Sequence, residues 1–399
     1  MSKMTEDMLV QQTASDYIRD KLGWDVVYAY NEETFGIYGT LGRRNDSEMV
    51  LTRYLKAALV KFNEGLPQQI YEDAVRQIVE YPATQSVLQI NQDKYALLKD
   101  GVLVQFRDEK GELIKRRLKV FDFEHPEENH FLAVRELWVK GALYRRRMDI
   151  MCFVNGIPLL FIELKNVHKN LQAAYEKNLK DYMDTIPQLF HHNAIIVIAN
   201  GVEAKLGSYS SQYKHFLEWK RLEDTEQGVV DMETLLKGIC DKHNFMDMFE
   251  NFIVFDDSTG KLVKVLARNH QFLGVNRAIK AVLERKVRKG KLGIFWHTQG
   301  AGKSYSMVFF TRKIHRKLGG NFTFLVCTDR DDLDSQIYKT FAGCSRCLAN
   351  TKPMCSPLFK NSTRKSLMIH THTGTISSLL QMKRTGLKMV FLLAICAML

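Results

Sequence analysis

Residues 149–166, DIMCFVNGIPLLFIELKN, place a carboxylate before one apolar run and a Glu-x-Lys at the end of a second. Asn155-Gly156 between the runs is the dipeptide of a two-residue hairpin turn. Asp149, which opens one strand, and Glu163, which closes the other, can therefore lie side by side. Two carboxylates that close repel each other and raise a pKa unless a divalent cation sits between them, so the pair asks for Mg2+. Side chains alternate along a strand, so Lys165 faces the same side as Glu163. An ammonium there can orient or help activate an attacking water and offset charge on a phosphodiester, while a metal polarises the phosphate. The competing reading of the same three residues is a solvated strand end carrying an ion pair. Asn178 and Tyr182 follow, four apart on one helical face, where an amide and a phenol can flank such a site or serve as ordinary surface positions.

A second stretch, LGIFWHTQGAGKSYSMVFF at 292–310, reads as strand, glycine loop and helix start. Gly300 and Gly302 let backbone N–H groups approach phosphates, Lys303 supplies a cation for the β and γ groups, and Ser304 can hold Mg2+. The following helix N-terminus faces the anion. His297 stands where the strict pattern has its first glycine.

These residues need elements to hold them. Residues 8–22 have helical spacing and lead through Gly23 into a short strand. Residues 49–80 give two helices separated at Gly65 and Pro67, and 101–123 an alternating hairpin around Asp108–Gly111. Strands continue from 130 to 164, a helix covers 171–186, and AIIVIANG from 194 is a buried strand. A polar stretch occupies about 203–235. Residues 251–265 mix acidic and apolar residues and are the expected domain junction. Beyond them the order helix, strand, glycine loop, helix, strand is that of a parallel α/β domain. At 399 residues the chain exceeds one ordinary core. No leader-like segment opens it, and no apolar run reaches the roughly 18 to 20 residues of a membrane span. A cytoplasmic protein is expected, with 389–399 a sticky apolar end.

Asp149, the hairpin and Glu163-Leu-Lys165 resemble the PD-(D/E)xK nuclease core, with Met148 where that pattern has Pro. IELKN, DYMDTIPQLF and AIIVIANG together resemble the N-terminal nuclease domain of the R (motor) subunit of type I restriction-modification enzymes. That family carries Gln-x-x-x-Tyr on the helix after the Glu-x-Lys strand; here Asn178 replaces Gln, one methylene shorter, and Tyr182 is kept. WHTQGAGKS resembles the family's phosphate loop. Gln271, upstream on a helix, matches the Gln with which helicase superfamily two proteins read adenine, and Asp329-Arg330 match the next helicase motif. The resemblance implies a nuclease-like mixed sheet flanked by helices over 1–255, and a partial RecA-like parallel α/β lobe over 256–343. It also implies Mg2+ and ATP as cofactors and double-stranded DNA as substrate. Specificity and methylation subunits are the implied partners, and no membrane is involved.

The resemblance stops near residue 343. Of 57 Lys and Arg, 9 fall after Asp334 and none of the 45 Asp and Glu do, so residues 1–334 hold 48 against 45. The net charge of +12 is therefore mostly a property of the tail and weak evidence for nucleic-acid binding. No Asp-Glu-x-His follows the phosphate loop, although ordinary composition would give the last 65 residues about eight acidic groups. Residues 344–399 are expected to be a foreign, frame-shifted or truncated reading rather than native fold, with a DNA-binding basic peptide as the alternative. Without a second motor lobe, nucleotide binding without hydrolysis is expected. An inactive remnant or a nucleotide- or partner-binding module is the alternative to an enzyme. Cys344 and Cys347 can seed a zinc site with Cys355, His370 or His372, but unpaired thiols of a reducing compartment are the simpler reading.

Overall fold

The computed structural model describes residues 6–107, 110–166, 168–298, 300–318, 322–327, 331–345, 366–369, 376–383 and 390–397. Two compact units result. One joins Met1–Leu222 with Glu226–Glu250, and the other joins Glu223–Thr225 with Asn251–Leu399.

The first unit is a mixed sheet between helices. Helix α1 (Glu6–Asp20) leads into strand β1 (Asp25–Tyr28). Helices α2 (Thr52–Phe62), α3 (Gln68–Val79) and α4 (Val87–Asp100) precede a separate hairpin, β2 (Val102–Arg107) and β3 (Leu113–Leu118). The sheet continues with β4 (Phe131–Lys140), β5 (Arg145–Val154) and β6 (Ile157–Leu164). After a helical segment, α5 (Leu171–Ala173) to α6 (Lys180–Thr185), come β7 (Ile195–Ala199) and β8 (Ala204–Gly207). Helices α7 (Met232–Cys240) and α8 (Lys242–Asn251) follow. The strand order is β1-β4-β5-β6-β7-β8; the β1–β4 and β6–β7 pairs are parallel and the others antiparallel.

Every residue of β6 is buried, as the unbroken apolar run IPLLFI requires of a central strand. Core side chains from the sheet, among them Met151, Phe161 and Ile196, pack with Leu179, Tyr182 and Phe190 from the segment between β6 and β7. Trp24 packs on Phe131 and Phe245 and donates its indole N–H to the Cys240 carbonyl at 2.8 Å, which ties β1 to α7 and α8. The hairpin between β5 and β6 turns where the sequence indicates, with Asn155 at φ 49° and Gly156 at φ 78°. A Cβ on Gly156 would lie 2.3 Å from the Leu51 carbonyl oxygen, so only glycine fits.

The second unit opens with an antiparallel pair, β9 (Ile253–Asp256) and β10 (Val263–Leu266). Helix α9 (Asn269–Leu283), β11 (Lys291–Trp296), α10 (Lys303–Lys317), β12 (Phe322–Cys327) and α11 (Asp331–Ser345) follow in the order read from the sequence. Three more strands, β13 (Ser366–Ile369), β14 (Ile376–Lys383) and β15 (Val390–Ala397), complete a sheet of order β11-β14-β15-β12-β13. The pairing of β11 with β14 is parallel, and the remaining three are antiparallel. The apolar run at 389–399 is thus largely a strand within this sheet. Cys347, Cys355, His370, His372 and Asp329-Arg330 lie outside the described residues.

Candidate active site and phosphate loop

Asp149 and Glu163 meet where β5 and β6 pair. Ile150 is registered with Ile162 and Met151 with Phe161, and one further step sets Asp149 across from Glu163. Asp149 accepts two hydrogen bonds, from Gln11 Nε2 at 2.7 Å and from the Leu164 N–H at 2.7 Å, and keeps part of its surface accessible. Glu163 is fully buried. Its Oε1 accepts from Lys165 Nζ and from Asn178 Nδ2, the latter at 2.6 Å. Its Oε2 is buried with no hydrogen-bond partner.

The ion pair expected of a plain strand end is therefore present, yet it satisfies only half of the carboxylate. Burial pushes the Asp149 carboxyl well above the usual carboxylate range, and the Glu163 charge adds to the rise; the Leu164 N–H, Lys165 and Arg147 oppose it. Burial also raises Glu163, against the pull of Lys165, Asn178 and the nearby Tyr182 hydroxyl. A divalent cation between the two would offset both desolvation and mutual repulsion and give Oε2 a partner. Hard oxygen donors of this kind suit Mg2+. Among the described residues, no group of three or more His, Cys, Asp and Glu gathers that could hold a metal ion, so water or substrate oxygens would complete the shell.

The helical segment after β6 supplies Asn178 and Tyr182, and it is not a plain α-helix. Ala174–Leu179 is π-helical, between α5 and α6. Single π turns inside helices recur at functional sites. Asn178 near the end of this turn reaches Glu163, while Tyr182 lies buried against Phe161 and donates its hydroxyl to the Arg147 carbonyl at 3.1 Å. Desolvation by burial, with Glu163 and Asp149 nearby, raises the Tyr182 phenol far above its ordinary value, so it acts here as a neutral donor.

Gln11 was not among the sequence candidates. It lies 138 residues before Asp149 in the chain. The available signal was a polar residue on the buried stripe of α1, formed by Gln11, Ala14, Ser15 and Ile18.

In the second unit the loop before α10 turns through Gly300 at φ 77° and Gly302 at φ 79°, both left-handed. Lys303 Nζ donates to the carbonyls of His297 and Thr298, each at 2.7 Å, within its own loop. Gln271 is buried and committed at both ends: Nε2 donates to the Gly302 carbonyl at 2.8 Å, and Oε1 accepts from the Arg268 N–H at 2.8 Å. The structure thus joins Gln271 to the phosphate loop, and contact with an adenine would need one of these bonds to exchange. Ser304 sits in the first turn of α10, half-buried beside Lys303. Burial lowers the His297 imidazole to about 4, so at neutral pH it places no second cation beside Lys303.

Residues 3–215 match the family described as type I restriction enzyme R protein N terminus. The chain belongs to that family. Residues 270–383 match the SWI2/SNF2 ATPase family, a match that runs past residue 343. The chain is 34% identical over 334 residues to the type I restriction enzyme HindI endonuclease subunit of Haemophilus influenzae, covering 80% of this chain and 31% of that protein. It is 24% identical over 302 residues to the type I restriction enzyme SsaAORF53P endonuclease subunit of Staphylococcus saprophyticus, covering 73% of this chain and 31% of the relative. The chain spans about a third of the length of the curated relatives it matches. Among the described residues, no helix is long and apolar enough to cross a membrane.

Proposed function

We propose that this R-family chain carries a Mg2+-dependent DNA endonuclease centre at Asp149, Glu163 and Lys165, coupled in the full-length enzyme to ATP-driven translocation. The unpartnered, buried Oε2 of Glu163 beside Asp149 carries this reading, because burying a carboxylate oxygen without a partner is costly unless something binds it. Asp149 and Glu163 would hold the metal, which supplies Lewis-acid polarisation of the scissile phosphate. Lys165 orients the attacking water and stabilises charge on the phosphodiester from its place beside Glu163. Asn178 and Gln11 fix the two carboxylates, and Tyr182 holds the backbone of β5 at Arg147. The substrate is double-stranded DNA, and specificity and methylation subunits in the cytoplasm are the partners.

We assign residues 1–255 to the nuclease domain, 256–343 to the ATP-binding lobe and 344–399 to an atypical tail, whose strands join the sheet of that lobe and whose first part lies within the SWI2/SNF2 match. Lys303 and the glycine loop would hold the phosphates, with Ser304 toward Mg2+ and Gln271 toward the base. A nucleotide-binding module without turnover is the second reading, favoured by Lys303 and Gln271 spending hydrogen bonds on the loop itself. Incubating the 399-residue chain with plasmid DNA and Mg2+, alone and with those subunits, tests the first reading. Cleavage that chelation and Asp149→Ala or Lys165→Ala abolish is expected; wild-type rates in either variant would sink it.

A further inference from the structure

The described positive-φ residues include three that are not glycine, and one of them stands beside the carboxylate pair. Glu136 in β4 has φ 55°, while its flanking residues pair normally, Arg135 with Ile150 and Leu137 with Met148. Glu136 of β4 is therefore set directly opposite Asp149 of β5. A bulky residue in left-handed backbone within a strand is strained and persists only where its surroundings over-determine it. Glu136 is also buried, at 3% exposure. Its Oε2 accepts the Tyr28 hydroxyl at 2.9 Å and its Oε1 faces Arg147 Nη1 at 3.6 Å.

Two residues before Asp149, Arg147 shares its side of the strand. Its guanidinium lies over the Tyr30 ring at 4.8 Å and near the Trp138 ring at 5.8 Å. Tyr30 in turn stacks on Tyr28 at 6.2 Å, and Arg135 covers Tyr28 at 4.3 Å. The result is a ladder of cation, ring, ring, cation along the edge of the carboxylate site. Aromatic faces fix a guanidinium plane and leave its N–H edge free to grip an oxyanion. The Arg147 side chain remains 39% exposed despite these contacts.

Resting on the nuclease reading above, we propose that Arg147 is a DNA-phosphate contact beside the cleavage centre and that Glu136 is the positioning residue that aims it. Glu136 as a further metal ligand fits less well, because both of its oxygens already face a donor, unlike Oε2 of Glu163. The contact serves the backbone of any duplex and reads no base.

The test is binding of a labelled DNA duplex to the 399-residue chain by fluorescence anisotropy across a salt series, with Ca2+ replacing Mg2+. Arg147→Met should weaken binding about tenfold and reduce the salt slope by about one. Arg147→Lys keeps the charge and should keep the slope, yet bind more weakly than wild type because an ammonium lacks the planar fork. Glu136→Gln separates positioning from charge: removing a negative group should tighten an anion's binding by electrostatics alone, whereas loss of aim should loosen it several-fold with the slope unchanged. Thermal melting of each variant checks that it folds, and Arg147→Lys keeps the question open to refutation should Arg147→Met not fold. Wild-type affinity in Arg147→Lys, an unchanged slope in Arg147→Met, or tighter binding in Glu136→Gln would each overturn the inference while leaving the nuclease reading intact. A wild-type chain that binds no duplex at low salt would instead overturn the DNA reading itself.

Discussion

Replacing Asp149 with Asn removes one of two facing carboxylates and keeps the shape of the side chain. Across neighbouring strands at about 5 Å, with an effective dielectric of about 20, two ionised carboxylates repel by about 3 kcal/mol. Asparagine keeps one acceptor oxygen for either Gln11 Nε2 or the Leu164 N–H, and losing the other bond costs about 1.5–2 kcal/mol. The variant should therefore be more stable than wild type without metal, by about 1–2 kcal/mol once the pH is high enough to ionise both carboxyls, or roughly 2–8 °C for a unit of this size. The sign depends on pH. Both carboxyls titrate above their unfolded values, so the folded protein retains protons that the unfolded chain has released. Wild-type stability thus falls as pH rises from about 4 through the raised folded values, and the advantage of the variant grows over that window. Mg2+ at ten times its Kd should restore about 1.4 kcal/mol to wild type and much less to the variant. Differential scanning fluorimetry at pH 5 and pH 8, with chelator or Mg2+, measures all four values. A variant less stable than wild type at pH 8 in chelator, or one with an equal Mg2+ shift, would refute the reasoning.

Lys165→Met should retain the Mg2+-dependent thermal shift yet lower DNA cleavage by about 100-fold or more; an unaffected rate in the plasmid assay would remove Lys165 from the chemistry. Lys303→Ala should abolish weak nucleotide binding measured by titration calorimetry, and the wild-type chain should release essentially no phosphate with ATP, DNA and Mg2+. Robust DNA-stimulated release would show that the tail or a partner completes the motor. Burial lowers His191 to about 4 and His192 to about 3, so both are neutral at pH 7 and their contribution to stability is lost as pH falls from about 6.5 through those values. The slope is about 1.4 kcal/mol per pH unit for each group while it titrates. His192→Gln should make the change in urea midpoint from about pH 6.5 to about pH 4.5 less destabilising than in wild type, and an unchanged difference would place the acid sensitivity elsewhere.

The carboxylate pair was legible because its geometry is local. A two-residue turn and a period of two fix which residues of one hairpin face each other, and Asn155-Gly156 announces that turn. The phosphate loop was legible for the same reason. Other features had no local signal. Helix α4 escaped notice because its buried stripe includes Asn91 and Lys94, which spend their polar groups on backbone carbonyls of Phe190, Asn193, Gln77 and Glu80. The π-helical turn that carries Asn178 changes hydrogen-bond spacing without changing residue composition. Strand β8 was hidden in a polar stretch because it is four residues long and, beyond its pairing with β7, is joined among the described residues by a single bridge between Leu206 and Leu217. Gln11 reaches the site from 138 residues away, and although Glu136 lies in the neighbouring hairpin, a one-dimensional pattern does not encode its strained backbone.

Anomalous diffraction from crystals of the chain soaked in Mn2+ tests the carboxylate centre most directly. A peak bridging Asp149 and Glu163, about 2.1 Å from Glu163 Oε2, is expected, and it should vanish in Glu163→Gln. Well-ordered carboxylates with Lys165 still bound to Glu163 and no peak between them at saturating Mn2+ would contradict a metal-dependent nuclease centre and leave the pair as a structural ion-pair site.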